Sequence, residues 1–409
     1  MVAGIIGMVA SVGAPLTYAL VVRSPSKKNM ASLHATTHSG SSNYAVSNKK
    51  KVEPPQPPVT APVVVGSADC TSPKGRHPSL ASAHSSQLKK LSQYEQVCGS
   101  GIISQASFFA LTPTTDQEAR EDARDIVVQL REFSANGISP LVFLEPTTNS
   151  GSINLAEYRA GKYDTVLDTY FAAIKAAQIT DQMMGTWVSM PEANLPEWSS
   201  VDPSDFAANV TKTVTYQKKY FPASKASIML DTITYPNANN WDGGKAVSFL
   251  PYVQDIPVGL IDSFGLQGFP WSPAANEHGP TNGSARDYLR VDLAAEAARS
   301  LHVQDIWLNT GSFNTMYANK ASQRVAASPM QRLAQLTDAL NQAKVLQSQG
   351  FTVSIHLFAQ DKSRVSEAID WSYWTSGHAD SSASTAVFQT FVHNLQANNI
   401  PLGLFDADD

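Results

Sequence analysis

The stretch Gly185-Thr186-Trp187-Val188-Ser189-Met190-Pro191-Glu192-Ala193-Asn194, with Trp198 close behind, decides how the rest of the chain is read. A short apolar run that stops at a turn reads as a strand covered on both faces, as in a parallel sheet. Upstream lies an amphipathic stretch, Tyr163 to Ala177, and downstream another, Pro203 to Tyr220. Strand then helix is the repeating unit of a parallel α/β fold.

Working outward, the same unit recurs. Toward the N-terminus, Pro140 to Leu144 is a strand, Gly101 to Phe109 precedes the helix Asp116 to Asn136, and Val63 to Val65 precedes Ser79 to Gln96. Toward the C-terminus, Ala226 to Leu230 precedes a looser stretch and Val258 to Gly265 precedes Ser284 to Leu301. Asp305 to Leu308 precedes Pro329 to Gln349, and Phe351 to Phe358 precedes Ser384 to Asn398. Thr115-Asp116 and Asp202-Pro203 read as helix starts, and Gly137 and Gly350 as the residues just past helix ends. Eight such units predict an α/β chain folded as a (β/α)8 TIM barrel over residues 62–409. A doubly wound sheet is the alternative; it calls for a glycine-rich first turn, and none is present.

The barrel says where chemistry belongs, at the C-terminal ends of the strands. Those ends carry Glu145, Glu192, Asp231, Asn309 and Asp361, with Gln267 to Trp271 after one strand and Asp262 inside it. Two carboxyl groups flanking a glycosidic bond, one acid and one base or nucleophile, are what sugar-cleaving barrels need. Glu192 is the candidate acid, with Asp231 and Asp262 as candidate partners. Glu145, Asn194, Trp198, Tyr235, Trp271 and Asn309 are candidate substrate contacts: amides for hydroxyl groups, aromatic faces for the apolar side of a sugar ring. The plain alternative for a rim Glu is an ion pair or a cap. Trp187 and Trp307, inside strands, read as core, and so does His356 in Val-Ser-Ile-His-Leu-Phe. The histidines show no metal-ligand spacing, so neither a metal nor a cofactor is expected. No G-x-S-x-G elbow is present.

In these motifs the sequence resembles glycoside hydrolase family 26, within the clan of retaining (β/α)8 glycosidases. Leu91-Ser92-Gln93-Tyr94-Glu95 resembles the family's early helix end, and Pro140 to Pro146 its third strand, which closes on Glu-Pro. Gly161-Lys162-Tyr163-Asp164 resembles the segment opening the helix before the acid strand. Met190 to Asn194 with Trp198 resembles the segment that holds the acid/base, Gly265 to Trp271 the sixth strand, and Asp370-Trp371 a common pair after the eighth. The resemblance implies hydrolysis of O-glycosidic bonds in a β-mannan or related β-glycan, with Glu192 as general acid/base. Two departures stand out. Pro191 replaces the histidine before the acid. Asn309, in Ile306 to Gly311, stands where the family has its strand-seven nucleophile, a glutamate. Another carboxylate such as Asp231, Asp262 or Glu145 then takes over, or the substrate's acetamido group assists, or the barrel is a glycan-binding or cell-envelope protein without turnover.

The remainder of the chain is different in kind. Val2 to Val22 has no charged side chain, and 21 residues suffice to span a bilayer, so residues 1–22 read as a membrane anchor or a signal segment. Arg23, Lys27 and Lys28 follow it, an arrangement that by the positive-inside tendency favours a cytoplasmic downstream part. Residues 23–61 hold six Lys/Arg and one Glu and end in Pro54-Pro55-Gln56-Pro57-Pro58, the composition of a disordered spacer. From Pro62 onward 24 Lys/Arg face 34 Asp/Glu, an acidic balance that argues against nucleic acid. We read the chain as a monomer that is exported, secreted or anchored at the cell surface, and that takes a polysaccharide or oligosaccharide. The two cysteines, Cys70 and Cys98, are either a disulfide of an oxidising compartment or two separate thiols. With Cys70 after the first strand and Cys98 after the first helix, they sit at opposite barrel ends and are not expected to pair. A nucleotide-using barrel is the remaining alternative, and no phosphate-binding signature supports it.

Overall fold

Side-chain alternation along each strand builds the molecule from the inside. The structure, a computed structural model, describes residues 102–148, 151–194, 201–232, 248–270, 288–312, 315–318, 323–358, 361–362, 369–370 and 381–405, with helical positions at Leu88, Leu91, Tyr94, Val97 and Cys98. Eight strands close a parallel barrel. They are β1 (Ile103–Leu111), β2 (Ser139–Glu145), β3 (Thr186–Ser189), β4 (Lys225–Asp231), β5 (Ser263–Gln267), β6 (Asp305–Thr310), β7 (Thr352–Phe358) and β8 (Leu402–Phe405). Each pairs with the next, and β8 pairs in parallel with both β7 and β1.

One set of side chains points outward onto helices α1 (Asp116–Ala135), α2 (Asp164–Ala176), α3 (Pro203–Tyr220), α4 (Val291–Leu301), α5 (Pro329–Ser348) and α6 (Ser381–Ala397). Phe108 meets Phe133 of α1 edge-on at 5.2 Å between ring centroids, and Trp187 packs against Phe171 of α2 at 5.4 Å. Each such side chain, fully buried, contributes about 1.5–3 kcal/mol relative to exposure. The other set fills the interior: Leu141, Phe143, Val188, Met229, Trp307 and Phe358 are all buried there. The helices start where the sequence says they should. Thr115 accepts from the Glu118 N–H, Asp202 from the Ser204 N–H ahead of Pro203, and Ser328 forms a capping box with Gln331. Gly137 and Gly350 take φ of +70° and +92° just past helix ends.

The order of the units differs from expectation. Val63 to Val65 lies outside the described residues, and the barrel closes without it. Its first strand is Ile103–Leu111, and the eighth is the unforeseen Leu402–Phe405. Every strand therefore counts one lower: Glu192 follows the third, Asp231 ends the fourth, and Asn309 lies in the sixth. The closing strand was hard to read because it is four residues long with a glycine inside. That glycine has a packing reason: a Cβ on Gly403 would come within 2.8 Å of the His356 ring.

The cysteine expectation is also overturned. Cys98 is disulfide-bonded, and the chain's other cysteine is Cys70. Separation rested on a βα unit that is not the barrel's first. Cys98 and Tyr94 instead lie on a buried helical face leading into β1, with Tyr94 edge-on to Phe388 of α6 at 5.1 Å. Among the described residues, no helix is long and apolar enough to cross a membrane; residues 1–61 lie outside them.

Candidate functional site at the C-terminal rim

The site begins one layer down, with Trp307. Its indole lies across the interior, and only glycine fits opposite: a Cβ on Gly265 would stand 2.2 Å from the ring. Ser227 accepts the indole N–H at 3.0 Å, Phe143 meets the ring edge-on, and the His356 ring lies 5.1 Å away. This floor holds up a row of polar side chains. Asp231, Gln267, Asn309 and His356 are register partners on four adjacent strands, β4 to β7. All four are buried, at 5, 5, 0 and 1 % exposure.

Glu192 joins the row from a turn rather than a strand. After β3 the backbone passes through Met190 at φ +52° and Glu192 at φ +56°, on either side of Pro191. Left-handed conformations cost side-chain-bearing residues about 1–2 kcal/mol each. Strain of that kind persists where the surroundings enforce it. Here the Met190 N–H donates to the Leu144 carbonyl at 3.1 Å and the Glu192 N–H to the Met229 carbonyl at 3.1 Å. The turn is thus tied to the strands on both sides, and the half-buried Glu192 carboxylate turns toward the barrel axis.

Gln267 is the centre of the arrangement. Its Nε2 donates to Asp231 Oδ2 at 2.8 Å and to Glu192 Oε1, while its Oε1 accepts from Asn309 Nδ2 at 2.7 Å. Both acceptor oxygens lie within hydrogen-bond length of one nitrogen, so they stand at most about 6 Å apart. Asn194 fixes Asp231 from behind: its Nδ2 donates to the Asp231 carbonyl at 2.7 Å and its Oδ1 accepts the Asp231 N–H at 2.9 Å.

Glu192, Asp231 and Asn309 are thus brought together, and Glu145 stands at the end of β2, half-buried, with Thr112 bonded to its carbonyl. Asp262 is not brought to the site. It precedes β5 at the opposite, N-terminal end and pairs with Lys218 of α3 at 2.8 Å. Asn194 is at the site but is fully buried, and its amide is engaged with the Asp231 backbone, so it is a splint and not a sugar contact. Trp198, Tyr235 and Trp271 lie outside the described residues. Gln267 is the member the sequence reading did not single out. Its mark was visible, since it is a polar residue ending an apolar strand in Gln-Gly-Phe-Pro. The loops after β6 and β7 add an antiparallel sheet of four short strands, in the order 323–326, 315–318, 369–370 and 361–362. No cluster that could hold a metal ion occurs among the described residues.

The fold and the row together define a parallel (β/α)8 barrel with paired carboxylates at its C-terminal rim. No family model and no curated protein matches the chain. Solved structures with a similar fold include a beta-glycosidase, at 12% identity over 76% of this chain and 87% of that one, with a TM-score of 0.47. Others are a fungal beta-1,4-galactanase, at 13% identity over 70% and 86% with a TM-score of 0.45, and a family 1 beta-glucosidase from Thermotoga maritima, at 10% over 76% and 86% with a TM-score of 0.47. Likeness at this level decides neither activity nor substrate.

Proposed function

We propose that the chain is a glycoside hydrolase in which Glu192 and Asp231 are the reacting carboxyl pair. The observation that carries this reading is the single Gln267 amide group that donates to both. Retaining glycosidases set their two carboxyl groups about 5 Å apart, with one residue acid/base and the other nucleophile, and the shared amide keeps Glu192 and Asp231 compatible with that spacing. Carboxylates held this near each other favour sharing one proton, which leaves one able to donate and the other to attack. Glu192, the more accessible, suits protonation of the leaving oxygen. Asp231, held by Asn194 and Gln267, suits a fixed nucleophile. The resemblance to family 26 nominates β-mannan or a related β-glycan. Glu192 and Asn309 remain three strands apart under the new count, so Asn309 still stands across from the acid.

Sugar release from a panel of β-glycans by wild type, Glu192→Gln and Asp231→Asn tests the proposal. Each variant is expected to lose about 10²–10⁴-fold in kcat. Rates equal to wild type in both would remove the pair from catalysis. Asn309, which cannot be a carboxylate nucleophile, favours a second reading: a glycan-binding barrel without turnover. In that case wild type retains glycans and releases nothing.

The setting is proposed on two supports. The uncharged run Val2 to Val22 and the disulfide at Cys98 both fit an exported or surface-anchored protein in an oxidising compartment. A monomer acting on polysaccharide fits the same picture.

A further inference from the structure

We infer that Asn309 is a positioning residue whose amide sets the direction in which the Gln267 amide faces, and so holds the donor shared by Glu192 and Asp231. This rests on the reading of those two carboxylates as the reacting pair. The argument is a matter of donors and acceptors. An ionised carboxylate can only accept, whereas an amide has one end of each kind. With Nε2 on Glu192 and Asp231, the Gln267 Oε1 must face β6, where it needs a donor. Asn309 Nδ2 is that donor, at 2.7 Å, in a residue with no exposed surface.

The other end of Asn309 shows what fixes the direction. Its Oδ1 is buried and has no hydrogen-bond partner among the described residues. A buried acceptor left unmade costs about 1–3 kcal/mol. Turning the Asn309 amide over would not relieve this, because it would set Oδ1 against Gln267 Oε1, two acceptors face to face. Gln267 is therefore held from both ends, by the two carboxylates at Nε2 and by Asn309 Nδ2 at Oε1, and Asn309 can serve only in the orientation it has. The next group in the row, His356, is buried beside Trp307, and its Nδ1 makes no hydrogen bond, so the Asn309 Nδ2 is not drawn to it.

A carboxylate at position 309 is incompatible with this order. Being an acceptor, it would draw the Gln267 NH2 group to itself and turn the Gln267 carbonyl onto Glu192 and Asp231. A site that reacts through the β3 turn and β4 needs a neutral donor on β6. Asn309 is then part of the device, and not only the loss of a nucleophile.

The test uses the full chain and reads carboxyl titration by carbon NMR, with Glu192 and Asp231 assigned through Glu192→Gln and Asp231→Asn. Among the described residues, the titratable groups that strand alternation and the β3 turn aim into the ring are Glu145, Glu192, Asp231 and His356. Asn309→Asp keeps the shape, and Asn309→Leu adds no charge. In Asn309→Leu the titration midpoints of Glu192 and Asp231 are expected to rise, because the hydrogen bond favouring the charged form is weakened, and in Asn309→Asp the added charge raises them further. Midpoints unchanged in folded Asn309→Leu overturn the inference, since packing alone would alter thermal stability without moving them. Glycan cleavage separates the two claims. Shifted midpoints in a wild type that cleaves nothing leave the positioning role standing and remove the glycosidase reading. Cleavage lost in Glu192→Gln without shifted midpoints in Asn309→Leu removes only the positioning role.

Discussion

His356 illustrates what a single buried residue does to the whole stability curve. Its ring is 1 % exposed, and burial alone pulls its pKa down from 6.5 to about 3. The folded protein therefore keeps it neutral in a range where the unfolded chain binds a proton. A depressed histidine contributes stability that is complete above about pH 6.5 and is lost as pH falls toward 3. Between pH 7 and pH 5 this amounts to about 2 kcal/mol. Denaturant unfolding at the two pH values should show that loss in wild type and a smaller one in His356→Gln. Equal losses would mean the imidazole is not held neutral. The sequence reading placed His356 in the core, and that part was legible from its position inside an apolar run. Its closeness to the Asp231–Gln267–Asn309 row was not, because that depends on how four strands register against each other.

At the scale of elements, the alternation of strand and helix was readable almost throughout, and the caps at Thr115, Asp202 and Ser328 carry it locally. What failed was the phase. Val63-Val64-Val65 looks more like a strand than Leu402-Gly403-Leu404-Phe405 does, since valine favours extended backbone and glycine does not. The interior explains the inversion: Gly403 is small because His356 needs the space. Gly403→Val should therefore unseat β8 from beside His356. A loss of about 1–3 kcal/mol in unfolding free energy is expected, as for other overpacked cores. Amide exchange should quicken along β1 and β7, which β8 bridges. Unchanged protection on those two strands would contradict this account of the closure.

Across the whole molecule, the charge division of the chain and the carboxylate-rich rim were plain in the sequence. The bond to Cys98 was not. Pairing depends on where the chain runs before β1, and that was misjudged together with the strand count. Closing a loop of about 30 residues contributes about 3–4 kcal/mol in the chain-entropy account. Reduction, or the variant Cys70→Ser with Cys98→Ser, should lower the thermal midpoint by several degrees. A midpoint indifferent to reductant would show that the bridge adds nothing to the barrel.

The placement of β8 also bears on how the protein is made. A ribosome emits the chain in order, and of the eight strands the one that joins β7 to β1 emerges last. Until then the nascent sheet has two unsatisfied edges, each able to pair with a stranger. Partial chains cannot ripen one unit at a time into a finished barrel; they wait on a single late piece.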